Sequence, residues 1–134
     1  MNDPAEYLEA VELALVESSI VKDFHIVRKW AHSDDGYIRI RATLSNGDFL
    51  EAAEFFVRQD EEFFPSDYRH QWTDASKQQL RRRWDNTPDH PELPNFPHHC
   101  HVGSETNVVP SEPTSLLKAL LLIQGALESD TTTE

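Results

Sequence analysis

The dipeptide Asn46-Gly47 constrains this chain more than any other pair of residues. It stands between two alternating runs, Ile38, Ile40, Ala42 and Leu44 before it and Phe49 to Arg58 after it. Both residues tolerate the positive φ of a two-residue turn whose twist matches paired strands, so the segment predicts a β-hairpin within an antiparallel sheet. Tyr37, Arg39 and Arg41 alternate with the apolar set, which gives that strand one wet face. Upstream, Phe24, Ile26 and Val27 open a strand toward Trp30, and Ser33-Asp34-Asp35-Gly36 turns the chain back. Three strands thus form a meander.

Phe63-Phe64-Pro65 reads as a break, after which Tyr68, His70 and Trp72 share one face of a fourth strand. Thr73-Asp74-Ala75-Ser76 turns into a fifth strand from Gln79 to Asp85, although KQQLRRRW also fits a helical turn. Helices bracket the sheet. Asp3-Pro4-Ala5-Glu6 supplies a cap acceptor, a proline at the first helical position and a glutamate three residues after the cap, and Tyr7, Leu8, Val11, Ala14 and Leu15 follow at helical spacing to about Ser18. Near the end, Ser111 or Thr114 caps a helix with an apolar stripe of Leu116, Leu117, Leu120, Ile123 and Leu127. The expected fold is α+β: a curved, five-stranded antiparallel sheet with an N-terminal and a C-terminal helix, one domain over residues 1–134. Residues 128–134, ending in SDTTTE, have nothing to bury and are expected to be disordered.

One cysteine excludes a disulfide framework, and no window is apolar enough for a membrane span or a secretory segment, so a cytoplasmic protein without membrane contact is expected. The formal charge of −12 excludes a protein that coats nucleic acid nonspecifically. Locally the balance reverses: from Asp67 to Arg83, the bases Arg69, Lys77, Arg81, Arg82 and Arg83 outnumber the acids Asp67 and Asp74 by five to two.

That basic strip runs into RWDNTPDHPELPNFPHHCHVG, residues 83–103. His90, His98, His99 and His101 lie there with Cys100, and four of the chain's eight prolines stiffen the segment. Imidazole and thiol groups suit zinc, but paired zinc ligands are usually spaced apart, and in an extended backbone contiguous residues point to opposite sides. Neither metal nor cofactor is therefore expected. Two readings remain open: a proline-stiffened loop whose histidines hydrogen-bond the sheet, and proton-transfer groups beside arginine as an anion clamp.

The same run resembles the signature of the TumE-type toxins of bacteria and archaea. There an arginine and an Asp-Asn pair close a strand and precede a histidine-proline loop ending in His-His-x-His-Val. The upstream layout is similar too, with Ala53-Glu54-Phe55 and Tyr68-Arg69-His70-Gln71-Trp72 on strands, so the likeness spans about the whole chain. Asp89 departs from the pattern where a second histidine is common, and Cys100 where a lysine is common, so neither residue is indispensable to a shared chemistry. The resemblance implies a toxin of a two-gene module, neutralised by a helix-turn-helix antitoxin and aimed at RNA.

RNA cleavage through the 2'-hydroxyl needs a base, an acid and cationic donors on the phosphate. His98, His99 and His101, with His90 nearby, are the candidate acid and base. Arg83 is the candidate clamp, Asp85 the carboxylate that orients a histidine, and Glu54 a half-buried acid. Arg81, Arg69, Tyr68 and Asn86 are candidate RNA contacts, Asn86 also serving to tie the loop's backbone. Each has a structural alternative, since Arg83 and Asp85 share a strand face and suit a salt bridge, while Tyr68 and Trp72 suit packing. Two other functions stay open: a binding module for a protein or nucleotide target, and a small metal-binding domain. An antitoxin would bring a basic surface for the acidic remainder, and a homodimer is also compatible.

Overall fold

Asp3 caps the first helix by accepting from the backbone N–H of Glu6 at 2.9 Å, with proline as the next residue. The computed structural model describes residues 3–132. Helix α1 (Pro4–Glu17) leads into β1 (Val21–Ala31), β2 (Asp35–Leu44), β3 (Phe49–Gln59), β4 (Glu62–Thr73), β5 (Leu80–Asp85), β6 (His99–Val102) and β7 (Val108–Pro110), and α2 (Leu116–Thr132) ends the chain. The strands form a single antiparallel meander in the order β1 to β7. No helix among the described residues is long and apolar enough to cross a membrane.

The α+β class is as expected, but the described sheet has seven strands and not five. The two extra strands are four and three residues long. A run of contiguous histidines carries no alternation of apolar and polar residues, so β6 looked like loop. The break at Phe63-Phe64-Pro65 is also absent, and β4 runs through it. Phe55 pairs with Asp67 and Phe56 with Pro65, which leaves Ser66 as an extra residue, and a bulge is where a sheet tolerates proline. The β3–β4 turn is made by Asp60 and Glu61 at φ 52° and 68°, without the glycine that marks such turns in a sequence. Of the tail, α2 continues to Thr132, and positions 133 and 134 lie outside the described residues.

Both helices pack on one face of the sheet. Tyr7, Leu8, Val11 and Leu15 of α1 and Leu116, Ala119, Leu120 and Ile123 of α2 are buried with Ile38, Ile40, Leu50, Phe56, Trp72, Trp84 and Cys100. Full burial of each large side chain stabilises by roughly 1.5–3 kcal/mol, so this layer fixes which face of every strand points inward. Two buried polar bonds pin α2 to the sheet: Glu54 accepts from the N–H of Leu116 at 2.8 Å, and His70 Nε2 donates to the Thr114 carbonyl at 2.9 Å. The helix is capped by Ser115, whose hydroxyl accepts from Lys118 N at 3.1 Å, and not by Ser111 or Thr114.

Candidate active site

Cross-strand register gathers the polar chemistry on the face away from the helices. Arg83 pairs with His101 and Asp85 with His99, while Gln71 and Arg69 of β4 stand opposite Arg83 and Asp85. Directly paired residues share a face, so two rows cross the sheet from β2 to β6. One is Arg41, Glu51, Gln71, Arg83 and His101; the other is Arg39, Ala53, Arg69, Asp85 and His99.

Asp85 is the hub of this arrangement and is buried. Its Oδ1 lies 2.9 Å from His99 Nε2, and its Oδ2 lies 3.7 Å from His101 Nε2 and 3.1 Å from Arg83 Nε. It also accepts from the N–H of Thr87 at 3.1 Å, which ties the start of the proline-rich loop to the strand end.

Both histidines are fixed in one tautomer. His99 Nδ1 donates to the Pro97 carbonyl and His101 Nδ1 to the Glu105 carbonyl, each at 2.9 Å. A carbonyl can only accept, so the hydrogen sits on Nδ1 and each Nε2 is left facing the carboxylate. The 2.9 Å contact of His99 Nε2 with Asp85 lacks hydrogen-bond alignment, and that buried nitrogen has no hydrogen-bond partner. Burial pushes the His101 imidazole below its usual value. His90 adds a third ring from the loop, edge-on to His99 at 4.9 Å and to His101 at 6.0 Å between centroids.

The guanidinium of Arg83 uses four of its five N–H donors. Beyond Asp85 it donates to Gln71 Oε1 at 3.3 Å and forks onto both oxygens of Glu105 at 2.6 and 2.7 Å. That fork holds the Glu105 carboxyl below its usual range and raises Arg83. The Glu105 side chain is nonetheless 64% exposed, against 11% for Arg83.

The structure brings together Arg83, Asp85, His90, His99 and His101, with Arg69 beside them. The other candidates lie elsewhere. His98 turns to the opposite face, where its Nδ1 is 2.7 Å from the Tyr68 hydroxyl; burial lowers His98 and pushes Tyr68 up to about 12. Glu54 is in the core under α2, and Tyr7 donates to it at 2.6 Å. Asn86 ties backbone, accepting from Tyr68 N at 3.1 Å and donating to the Ser66 carbonyl at 2.9 Å. Arg81 does not share the Arg83 face, because Trp72 pairs with Arg82 and Thr73 with Leu80; the bulge sends Arg81 to Asp48, 3.4 Å away. Gln71 and Glu105 escaped sequence reasoning. Gln71 was legible as the strand neighbour of Arg69 two positions on, whereas Glu105 depends on a β6–β7 turn that the sequence does not signal.

Against known protein families, the model described as toxin TumE matches residues 10–129. The chain belongs to the TumE toxin family. The TumE match takes in the whole Asp85 cluster, both cross-sheet rows and most of α2. No curated protein and no solved structure matches the chain.

Proposed function

We propose that this TumE-family toxin cleaves RNA with its own side chains. The observation that carries the reading is the convergence of two tautomer-fixed histidines on one buried carboxylate beside an arginine fork. His99, whose Nε2 lies 2.9 Å from the Asp85 carboxylate, acts as the acid. His101, pushed toward its neutral form by burial, acts as the base. The base takes the 2'-hydroxyl proton, the 2'-oxygen attacks phosphorus, and the leaving 5'-oxygen takes a proton from His99. Arg83 meets the phosphate oxygens that gain charge once the exposed Glu105 carboxylate swings off its fork. Products are a 2',3'-cyclic phosphate and a 5'-hydroxyl end. Arg69, Arg39 and Arg41 on the same face guide the strand toward the cluster, a local positive path within an acidic cytoplasmic protein. Neutralisation falls to a cognate helix-turn-helix antitoxin with a basic surface, the complement of the chain's net charge of −12. A homodimer is compatible with this reading.

The test is a synthetic RNA incubated with purified protein in chelator, with product ends identified by mass. Cyclic-phosphate ends, lost in folded His99→Ala and His101→Ala proteins that no longer arrest growth, are expected. Absence of cleavage together with persistent toxicity of both variants removes the reading.

A further inference from the structure

No metal was expected because contiguous residues from His98 to His101 point to opposite sides; β6 keeps that alternation, and the loop adds a third histidine to the pair left on one face. Alternation discards His98 and Cys100 to the helix side and keeps His99 and His101 together on the other. His90, nine residues earlier in the chain than His99, completes the group from the loop. One donor atom from each of the three lies within 4.8 Å of the others. Their ring planes meet at 70°, 72° and 75°, so the three imidazoles converge from different directions and do not stack.

Three further facts fit a cation. The Nδ1 hydrogens of His99 and His101 are spent on backbone carbonyls, the outer partners that orient ligating imidazoles and leave Nε2 free to coordinate. His99 is 1% exposed and its Nε2 has no hydrogen-bond partner. The buried carboxylate of Asp85, 2.9 Å from that nitrogen, supplies the negative charge a dication needs. Zinc–nitrogen bonds of about 2.0–2.1 Å put tetrahedral ligands about 3.4 Å apart, so the atoms must close by on the order of an ångström, which the half-buried His90 on its loop can supply.

We infer that His90, His99 and His101 form a binding site for a first-row transition-metal dication, with zinc as the fitting ion. Imidazole donors select such ions over magnesium or calcium, which require oxygen. A bound dication takes the nitrogen lone pairs that proton transfer uses, so the loaded protein is the closed form of the site. The inference stands on the donor geometry and goes beyond the RNA-cleavage reading.

Metal-free full-length protein titrated with Co2+, followed by visible absorption, and with Zn2+, followed by calorimetry, tests it without RNA. One equivalent at micromolar affinity or tighter is expected, with the intense visible bands of low-coordinate cobalt. His90 lies in the loop outside every strand, so His90→Gln leaves the strand pairing in place; it should weaken binding by roughly tenfold or more, as should His99→Ala, whereas His98→Ala should not. Substoichiometric uptake by the wild-type protein, or equal affinity in His90→Gln, overturns the site. Because no step is read through RNA, failure of the cleavage assay leaves this result unaffected.

Discussion

At the scale of single residues, the proposed RNA cleavage makes the pairing of Arg83 with Glu105 the step a phosphate must displace. The fork is geometrically strong, but one partner is mostly in water, and pairs of that kind contribute about 0–1 kcal/mol. A phosphate with two oxygens for the same fork therefore displaces Glu105 at little cost. Glu105→Ala is expected to raise kcat/KM on RNA by about twofold to fivefold, the rate equivalent of that energy. Arg83→Ala should lower it by roughly 2–4 kcal/mol of transition-state stabilisation, and Arg83→Lys should restore only part because the planar fork is lost. Arg82 faces the other way, opposite Trp72, and its alanine variant should change cleavage by less than about threefold. Steady-state kinetics on a short RNA checks all four. Greater damage from Arg82→Ala than from Arg83→Ala would place the clamp on the wrong face.

At the scale of elements, two glycines separate close approach from mere helical cost. Gly36, at the start of β2, lies under Phe56, and a Cβ there would collide with the ring. Gly36→Ala is expected to destabilise by about 1–3 kcal/mol, as overpacking does, while Gly125→Ala in α2, with open space around it, should stabilise by roughly 0.5–1. Melting temperatures moving in opposite directions are the expected result; equal shifts would mean that the Phe56 contact is not tight. Elements with a local signal were legible in the sequence: the Asn46-Gly47 hairpin, the Asp3 cap, and the shared face of Tyr68, His70 and Trp72. What was missed has non-local causes. The turn at Asp60 and Glu61 lacks glycine, β6 and β7 are too short to show a period, and the bulge opposite Thr73 and Trp72 reverses the expected direction of Arg81. The site was legible as a list of residue types in one segment. Its geometry was not, because the partition of His98 from His99 and His101 needs a strand that only its neighbours define.

At the scale of the whole molecule, two ionisable side chains buried on the helix side bracket the pH range in which the fold is most stable. His70 is fully buried, and loss of hydration pushes its imidazole from 6.5 down to about 4. Below pH 6.5 the unfolded chain takes up a proton that the folded chain refuses, so stability falls as pH drops from 6.5 to 4. The loss reaches about 3 kcal/mol at 1.36 kcal/mol per pH unit. Glu54 acts from the other side: burial raises its carboxyl, so the unfolded chain releases its proton first and stability falls as pH rises through the folded value. His70→Gln should therefore flatten the acid limb, and Glu54→Gln, which keeps an oxygen for the N–H of Leu116, should flatten the opposite one. Neither residue belongs to the Asp85 cluster, so both variants should stay toxic wherever they stay folded. Urea titrations of metal-free protein at pH 4.5, 5.5, 6.5 and 7.5 isolate each contribution as the difference from wild type, since every other titrating group cancels. Curves that remain parallel to wild type across the series would show that these groups titrate alike in the folded and unfolded chain. The polar tie between α2 and the sheet would then carry no pH dependence of its own.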